Sequence, residues 1–441
     1  MGKPSTGDSG IGATGKDATR EPGKEPGKEK LTYEMFKESP KSAKDGKPAE
    51  PKSREGAAAE ALVAAAPKKA DAWRPKATPE PQSGLLTAGS FDDNLFPDAF
   101  RLFASRMGQD ASIGNLTGRL FGRRLIVTVQ GKDGNPMGNA RVRINGDGQN
   151  AVELITRSDG RVVFVASWDN LDGDLTVTVT PPDGSAPVTQ AVDRETLRCT
   201  VSLPAAAAPL PKNLDLVLLL DTTGSMGDEL AYLKSEFKTI ASTLATRFPH
   251  VHQRYGLVVY RDRGDEYVVR KFDFTTSVDE FRSRLAAQSA AGGGDYPEAM
   301  EVGLAEAVKM QWRTTDTARV LLLVADAPPH AQDIGKAMTA ADALRKKGVA
   351  IYPLACSGYD PACELVMRSC AMLTGSQFLF LTDDSGVGEA HGEPHIPFYH
   401  VERQGRLMVR MVASELMGRR LDPTPDEIIR TVGNPPRIKG Q

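Results

Sequence analysis

Leu216-Val217-Leu218-Leu219-Leu220-Asp221-Thr222-Thr223-Gly224-Ser225-Met226 is the stretch on which the fold turns. Its unbroken aliphatic run reads as a strand buried on both faces, since a strand with one wet face would alternate apolar and polar residues. The run ends abruptly on a carboxylate, hydroxyls and a glycine. An amphipathic segment follows, with Leu230, Leu233, Phe237, Ile240 and Leu244 at helical spacings. Strand, polar turn and helix in that order form the unit of an open α/β sheet, which binds ligands at the carboxyl ends of its strands. Asp221, Thr223 and Ser225 stand at alternate positions and offer one carboxylate and two hydroxyls. These hard oxygen donors suit Mg²⁺ or Mn²⁺.

The pattern returns downstream. Arg319-Val320-Leu321-Leu322-Leu323-Val324-Ala325-Asp326 is a second apolar strand that ends on an aspartate. Between the two strands lie a predicted hairpin turning at 261–266, a helix near 277–288, the loop Gly292-Gly293-Gly294-Asp295-Tyr296-Pro297-Glu298, and a helix from Glu298 to Met310. After the second strand come a helix at 331–346, a strand at 349–354, a helix near 361–373, a strand at 378–381 and a helix near 403–417. Strands that alternate with helices predict a doubly wound, mostly parallel α/β sheet over residues 213–420.

D-x-T-x-S at 221–225 resembles the metal-ion-dependent adhesion site of von Willebrand factor A domains. The order strand–D-T-T-G-S-M–helix, hairpin, G-G-G-D-Y-P-E loop and strand–A-D-A-P-P-H resembles bacterial members of that family. The resemblance implies that the strands bearing Asp221 and Asp326 are neighbours, about 4.8 Å apart, with converging carboxylates. It implies Mg²⁺, or Mn²⁺ or Ca²⁺, held by Asp221, Thr223, Ser225 and Asp326. Integrin-type sites place a threonine in the middle loop, and here Asp295 takes that place. The added charge should favour the metal and weaken recruitment of an external carboxylate.

The implied function is a metal-dependent module that docks a protein partner, not an enzyme. An alternative is a subunit that recruits a catalytic partner such as an AAA+ ATPase. A Mg²⁺-dependent hydrolase would need a general base, for which His330 and Asp262 are the candidates. Helix N-capping is the competing account of Thr223 and Ser225, with Asp228 and Glu229 complementing the helix dipole. The matching Asp326 and the glycine-rich loop favour the metal.

Other motifs read as structural. Gly292-Gly293-Gly294 lacks the G-K-[ST] of a phosphate loop. Arg263-Gly264-Asp265 has the letters of an integrin-recognition tripeptide, but such residues commonly build a turn between strands. His391, His395 and His400 fall in a Gly/Pro-containing stretch that is expected to be a surface loop; a transition-metal site is the alternative. Cys199, Cys356, Cys363 and Cys370 are too few for a disulfide scaffold. They are expected as buried thiols, with a Cys356–Cys363 bridge the unsupported alternative.

Upstream, residues 119–203 carry short alternating apolar runs at 125–129, 140–144, 161–165 and 175–179. Turn signals at 133–136, 147–148, 158–160 and 182–184 separate them, which predicts a small β-sandwich. D-G-x-P-x-x-x-A-x-V from Asp133 to Val142, followed by Ser158-Asp159-Gly160, resembles carboxypeptidase regulatory-like domains, whose implied role is spacer or stabiliser. Residues 85–118 read as a connecting segment with a short helix bearing Phe96, Phe100, Leu102 and Phe103, packed against the next domain. Residues 204–212 read as a linker and 421–441 as a C-terminal tail. Residues 1–84, rich in Gly, Pro, Lys and Glu, read as a disordered tether, because they bury too little apolar surface to offset ordering entropy.

The 441 residues carry 55 Lys+Arg against 57 Asp+Glu, so no basic excess points to nucleic acid. No run of about 18 apolar residues predicts a membrane span. The polar start Met1-Gly2-Lys3-Pro4-Ser5-Thr6 shows no signal-peptide core, which implies the cytoplasm, whereas the family resemblance implies the cell envelope or export.

Overall fold

Alternation along β9 (Asn213–Asp221) sends Leu214, Leu216, Leu218 and Leu220 into one hydrophobic core and Val217 and Leu219 into another. A strand that feeds two cores has to lie inside a sheet covered on both faces, and the computed structural model places it there. The structure describes residues 83–107, 116, 118–120, 122–146, 148, 150–207, 210–294, 296–386 and 391–435. They belong to the unit Pro75–Gln441; a second unit, Met1–Arg74, lies outside them. So does the tether expected over 1–84, apart from Ser83 and Gly84.

Among the described residues the main sheet has nine strands. Across it run β11 (Val269–Thr275), β10 (His252–Tyr260), β9, β12 (Thr317–Ala325), β13 (Val349–Ala355), β14 (Phe378–Thr382), β1 (Thr87–Phe91), β15 (Tyr399–Arg403) and β16 (Arg430–Val432). The five strands from β10 to β14 are parallel, and antiparallel pairs flank them. From β9 the chain steps to β10 on one side and later returns to β12 on the other. The strand order therefore reverses at β9/β12, where open α/β sheets form their ligand crevice.

Helices α3 (Gly227–Arg247), α4 (Val278–Ala286) and α8 (Gln404–Leu416) cover one face. Helices α5 (Met300–Val308), α6 (Ile334–Lys346) and α7 (Pro361–Thr374), with α1 (Pro97–Met107), cover the other. The predicted α/β class and its mostly parallel sheet are the observed ones.

The sandwich packs a three-stranded sheet against a four-stranded one. The first comprises β5 (Arg161–Val165), β2 (Arg124–Gln130) and β8 (Arg198–Ser202); the second comprises β4 (Ala151–Ile155), β3 (Arg141–Asn145), β6 (Leu175–Thr180) and β7 (Val188–Val192). Inward residues such as Val127, Ile144, Phe164 and Val177 form its own core. Strand β5 departs from simple alternation. Val163 and Val165, with Trp168 of the short helix α2 (Ala166–Asp169), join the core under α6 and α7 instead.

Buried polar groups tie the sandwich down. Arg345 on α6 pairs with Asp169 and donates to the Val163 carbonyl at 2.8 Å. Arg157 pairs with Glu415 on α8, which also accepts from the Tyr352 hydroxyl at 2.7 Å. Arg319 on β12 donates to Asn139 at 2.7 Å.

Two segments differ from the sequence reading. The connecting segment read over 85–118 begins with strand β1, which inserts antiparallel between β14 and β15 of the α/β sheet rather than packing against the sandwich that follows it. Gly89 makes this insertion feasible, because a Cβ there would lie 2.5 Å from the Phe380 ring and 3.0 Å from Tyr399. The tail read from 421 onward supplies β16, whose Thr431 faces His400.

Candidate metal centre

The carboxyl ends of β9 and β12 lie side by side, with Leu220 opposite Val324, so Asp221 and Asp326 emerge at one sheet edge. Both are buried, at 0% and 3% exposure. The Asp221 carboxylate accepts at Oδ1 from the Thr223 amide at 2.9 Å and from the Thr223 hydroxyl at 2.7 Å. Its Oδ2 is buried and has no hydrogen-bond partner among the described residues. The Thr223 hydroxyl lies 3.4 Å from that of Ser225, which is exposed at the mouth.

Helix capping does not account for these hydroxyls. Thr223 precedes a single 3₁₀ turn, Gly224–Met226, and makes no side-chain capping bond, and the residue at the N-cap of α3 is Met226. Glu229 does not simply complement the helix dipole either. Buried, it accepts from the amide of Ser357 at 2.8 Å and from the Ser357 hydroxyl, beyond the end of β13.

The glycine-rich loop is knitted onto this edge from both sides. Gly224 donates to the Gly292 carbonyl at 3.1 Å, and Ala291 donates to the Thr222 carbonyl at 3.1 Å. On the far side Glu298 donates to the Pro328 carbonyl at 3.0 Å, just past Asp326. The Tyr296 hydroxyl donates to the Asp326 carbonyl at 3.1 Å and accepts from the Asp360 amide at 2.7 Å. Gly293 has φ +74°, and a Cβ there would lie 2.8 Å from Glu298 Oε1 and 3.2 Å from Thr223 Cβ. Only glycine lets the loop pass between these two side chains. Asp295, the residue expected to replace the integrin-type threonine, lies outside the described residues.

Electrostatics mark the same spot. Burial, reinforced by Asp326, pushes the Asp221 carboxyl up to about 7. Burial also pushes Glu298 up to about 9, with Asp221, Asp262, Asp326 and Asp265 adding repulsion. Carboxylates drawn together out of water hold their protons tightly and attract cations strongly. Among the described residues no three Asp, Glu, His or Cys side chains close on one point as a direct cage. The donors are instead hydroxyls with a few carboxylates. That set fits an ion such as Mg²⁺, which keeps much of its water, and the buried Asp221 Oδ2, without a partner at hydrogen-bond geometry among the described residues, is the atom a cation would satisfy.

Sequence reasoning did not single out Glu298, which it read as the start of a helix. The signal was a glutamate directly after Gly-Gly-Gly-Asp-Tyr-Pro, but its burial depends on the loop bridging to Pro328. His330 and Asp262 do meet, with Nε2 2.8 Å from Oδ1. Arg263 pairs with Glu301 and Asp333, each at 2.6 Å, and Asp265 accepts from Gly293, so the R-G-D letters build the turn.

The three downstream histidines part company. His391 bonds Asp383, His395 bonds Glu364, and His400 bonds Thr431 from within β15, each at 2.8 Å. The surface-loop reading is wrong for His391, whose side chain is buried. All four cysteines are free and buried.

Among curated proteins, residues of this chain are 30% identical over 118 residues to the α-protein kinase vwkA of Dictyostelium discoideum, covering 26% of this chain and 19% of that protein. They are 28% identical over 117 residues to an ariadne-like RING finger protein of Acanthamoeba polyphaga mimivirus, covering 26% and 11%. The chain thus spans under a fifth of either relative. Among solved structures it is similar to BatB from Bacteroides thetaiotaomicron, with TM-score 0.32 and 11% identity over 46% of this chain and 98% of that one. It is also similar to the pilus adhesin SpaC from Lactobacillus rhamnosus GG, with TM-score 0.31 and 12% identity over 56% and 31%. The model of the von Willebrand factor A domain family matches residues 215–360, which hold β9, β12 and the loops around Asp221 and Asp326. That segment is a von Willebrand factor A domain, of a family of protein-interaction modules.

Proposed function

We propose that the sheet edge at β9/β12 holds one divalent ion, Mg²⁺ or a relative such as Mn²⁺ or Ca²⁺, and that a protein partner docks there through it. Asp221, Thr223, Ser225 and Asp326 would hold the ion, directly or through water, with Asp295 as a further candidate. The observation that carries this reading is the buried Oδ2 of Asp221, which has no partner at hydrogen-bond geometry among the described residues, with the exposed Ser225 on the same loop. A bound ion supplies a Lewis-acidic position open to an oxygen ligand from the partner. The chain's own part is to hold the cradle rigid: the Thr223 amide and hydroxyl fix Asp221, and Tyr296 and the Glu298–Pro328 bridge fix the glycine-rich loop.

Family members of this type are generally non-catalytic, and we assign this chain a docking role. The sandwich would act as a buttress under α6, α7 and α8, a reading supported by the Arg345–Asp169 and Arg157–Glu415 pairs. The test is affinity capture with the full chain as bait, in Mg²⁺ and in EDTA, with Asp221→Ala as control. A partner retained in Mg²⁺ and lost both in EDTA and with the variant supports the reading. Capture indifferent to both overturns it.

A further inference from the structure

Where β12 begins, at the sheet edge opposite Asp221 and Asp326, a cleft of about 730 Å³ opens between the sandwich and the α/β part. Small-molecule sites commonly have roughly that volume. Arg141 enters from β3 of the sandwich, flanked in register by Ile155 and Thr180. From the other side come Arg319 on β12, Arg313 just before it, Lys309 at the end of α5, and Lys346 and Lys347 at the end of α6. Among the described residues no Asp or Glu lines the cleft.

The acids that reach these cations stand outside the cleft and are mostly shared. Glu306 serves Lys309 and Lys271, Asp215 serves Arg313 and Arg254, and Asp342 serves Lys346 and Arg345. Arg141 reaches Glu153 at 3.5 Å. Arg319 and Lys347 form no ion pair among the described residues. Arg319 is 3% exposed and donates from Nε to the Lys347 carbonyl at 2.8 Å. Its terminal nitrogens bond Asn139 Oδ1 at 2.7 and 2.8 Å and the Arg313 carbonyl at 3.1 Å. The Lys347 ammonium donates to the Val308 carbonyl at 2.6 Å. All these acceptors are neutral. Burial pushes the Arg319 guanidinium down to about 10, and it lowers the Lys347 ammonium as well.

Both α5 and α6 end at this cleft, and helix-end carbonyls attract cations. Each helix end carries only about half a negative charge, however, and Arg141 and Arg319 stand on strands. Two cations without a full counter-charge match a phosphate group, which carries about −2 near neutral pH. A carboxylate would neutralise only one of them. We propose that this cleft binds a small phosphate compound, the free ion or a monoester, with Arg319, Lys347 and Arg141 supplying the charge that holds it. The site stands apart from the metal centre and does not depend on it.

The test is calorimetric titration of the full chain in EDTA at fixed ionic strength, with inorganic phosphate, glucose 6-phosphate, acetate and polyglutamate as probes. The wild type should bind one equivalent of a phosphate compound at millimolar concentration or below, and acetate far more weakly. Equal affinity for the two phosphate compounds assigns the site to the free ion, and tighter binding of the ester assigns the rest of the cleft to the rest of the molecule; both support the proposal. Lys347→Ala should weaken binding about tenfold, the loss of one charged hydrogen bond, with little change in the ligand-free melting temperature. If that temperature falls, Arg141→Gln, on the exposed sandwich wall, is the deciding variant and should weaken binding similarly. No saturable phosphate binding by the wild type, or unchanged affinity in the deciding variant, overturns the proposal. Tighter binding of polyglutamate than of either phosphate compound also overturns it, because the cleft would then be a docking surface for an acidic protein.

Discussion

The amide of Glu298 donates to the carbonyl of Pro328 at 3.0 Å and thereby locks the glycine-rich loop to the loop that follows Asp326. The two loops that border the proposed metal site, far apart in sequence, are hydrogen-bonded to each other through that bridge. Rigid support of this kind is what a binding site needs to hold its donors in place.

Gly293→Ala tests the bridge's tight passage. The substitution forces a side chain into positive φ and against Glu298 and Thr223. It should destabilise the protein by about 1–3 kcal/mol and weaken Mg²⁺ binding, as read by urea denaturation and metal titration. Gly294→Ala is the control, since a Cβ there meets nothing within 4 Å and should change little.

Acidification should weaken metal binding. The Asp221 carboxyl titrates near 7 in the metal-free protein, well above the ordinary carboxylate range. The raised value means that its contribution to metal-free stability is fully present below about pH 4 and is lost as pH rises to about 7. A metal must displace that proton. Mg²⁺ affinity should therefore fall as pH drops from 8 to 6, and the stabilisation by Mg²⁺ should shrink with it. Melting curves with and without Mg²⁺ across that range check the sign.

The sandwich and the α/β part should unfold together. Glu415 neutralises Arg157 across their boundary, and both side chains are largely buried. Glu415→Gln removes the nearer of the two carboxylates that face the guanidinium, leaving Asp159 at 3.9 Å, and should cost about 1.5–3 kcal/mol. Urea denaturation should show one transition in the wild type and a lower midpoint in the variant. A variant as stable as wild type would mean that the pair contributes little.

What was legible in the sequence was local. The runs ending in Asp221 and Asp326 announced buried parallel strands, because a strand with two dry faces has no polar alternation. The α/β class follows from those runs and the helices between them.

Strand β1 was not legible. Thr87-Ala88-Gly89-Ser90-Phe91 has little strand character of its own, and its state is set by partners about 290 to 315 residues away, at 378–382 and 401–403. The burial of Glu298 was equally non-local, since it comes from the contact with Pro328. Capping and metal binding ask for the same hydroxyl-bearing residues at a strand end, and in the sequence only Asp326 and the glycine-rich loop weigh against capping. Met226 at the N-cap and the Thr223 bonds to Asp221 speak against capping. Strand β5 hid its second face because Val163 and Val165 pack on another domain's helices.

Calorimetric titration of Mg²⁺ into the full chain, beside Asp221→Ala, tests the central claim most directly. The account predicts binding at a single site in the wild type and its loss in the variant, with both proteins folded by circular dichroism. Absence of binding at millimolar Mg²⁺, or equal binding by Asp221→Ala, would contradict it.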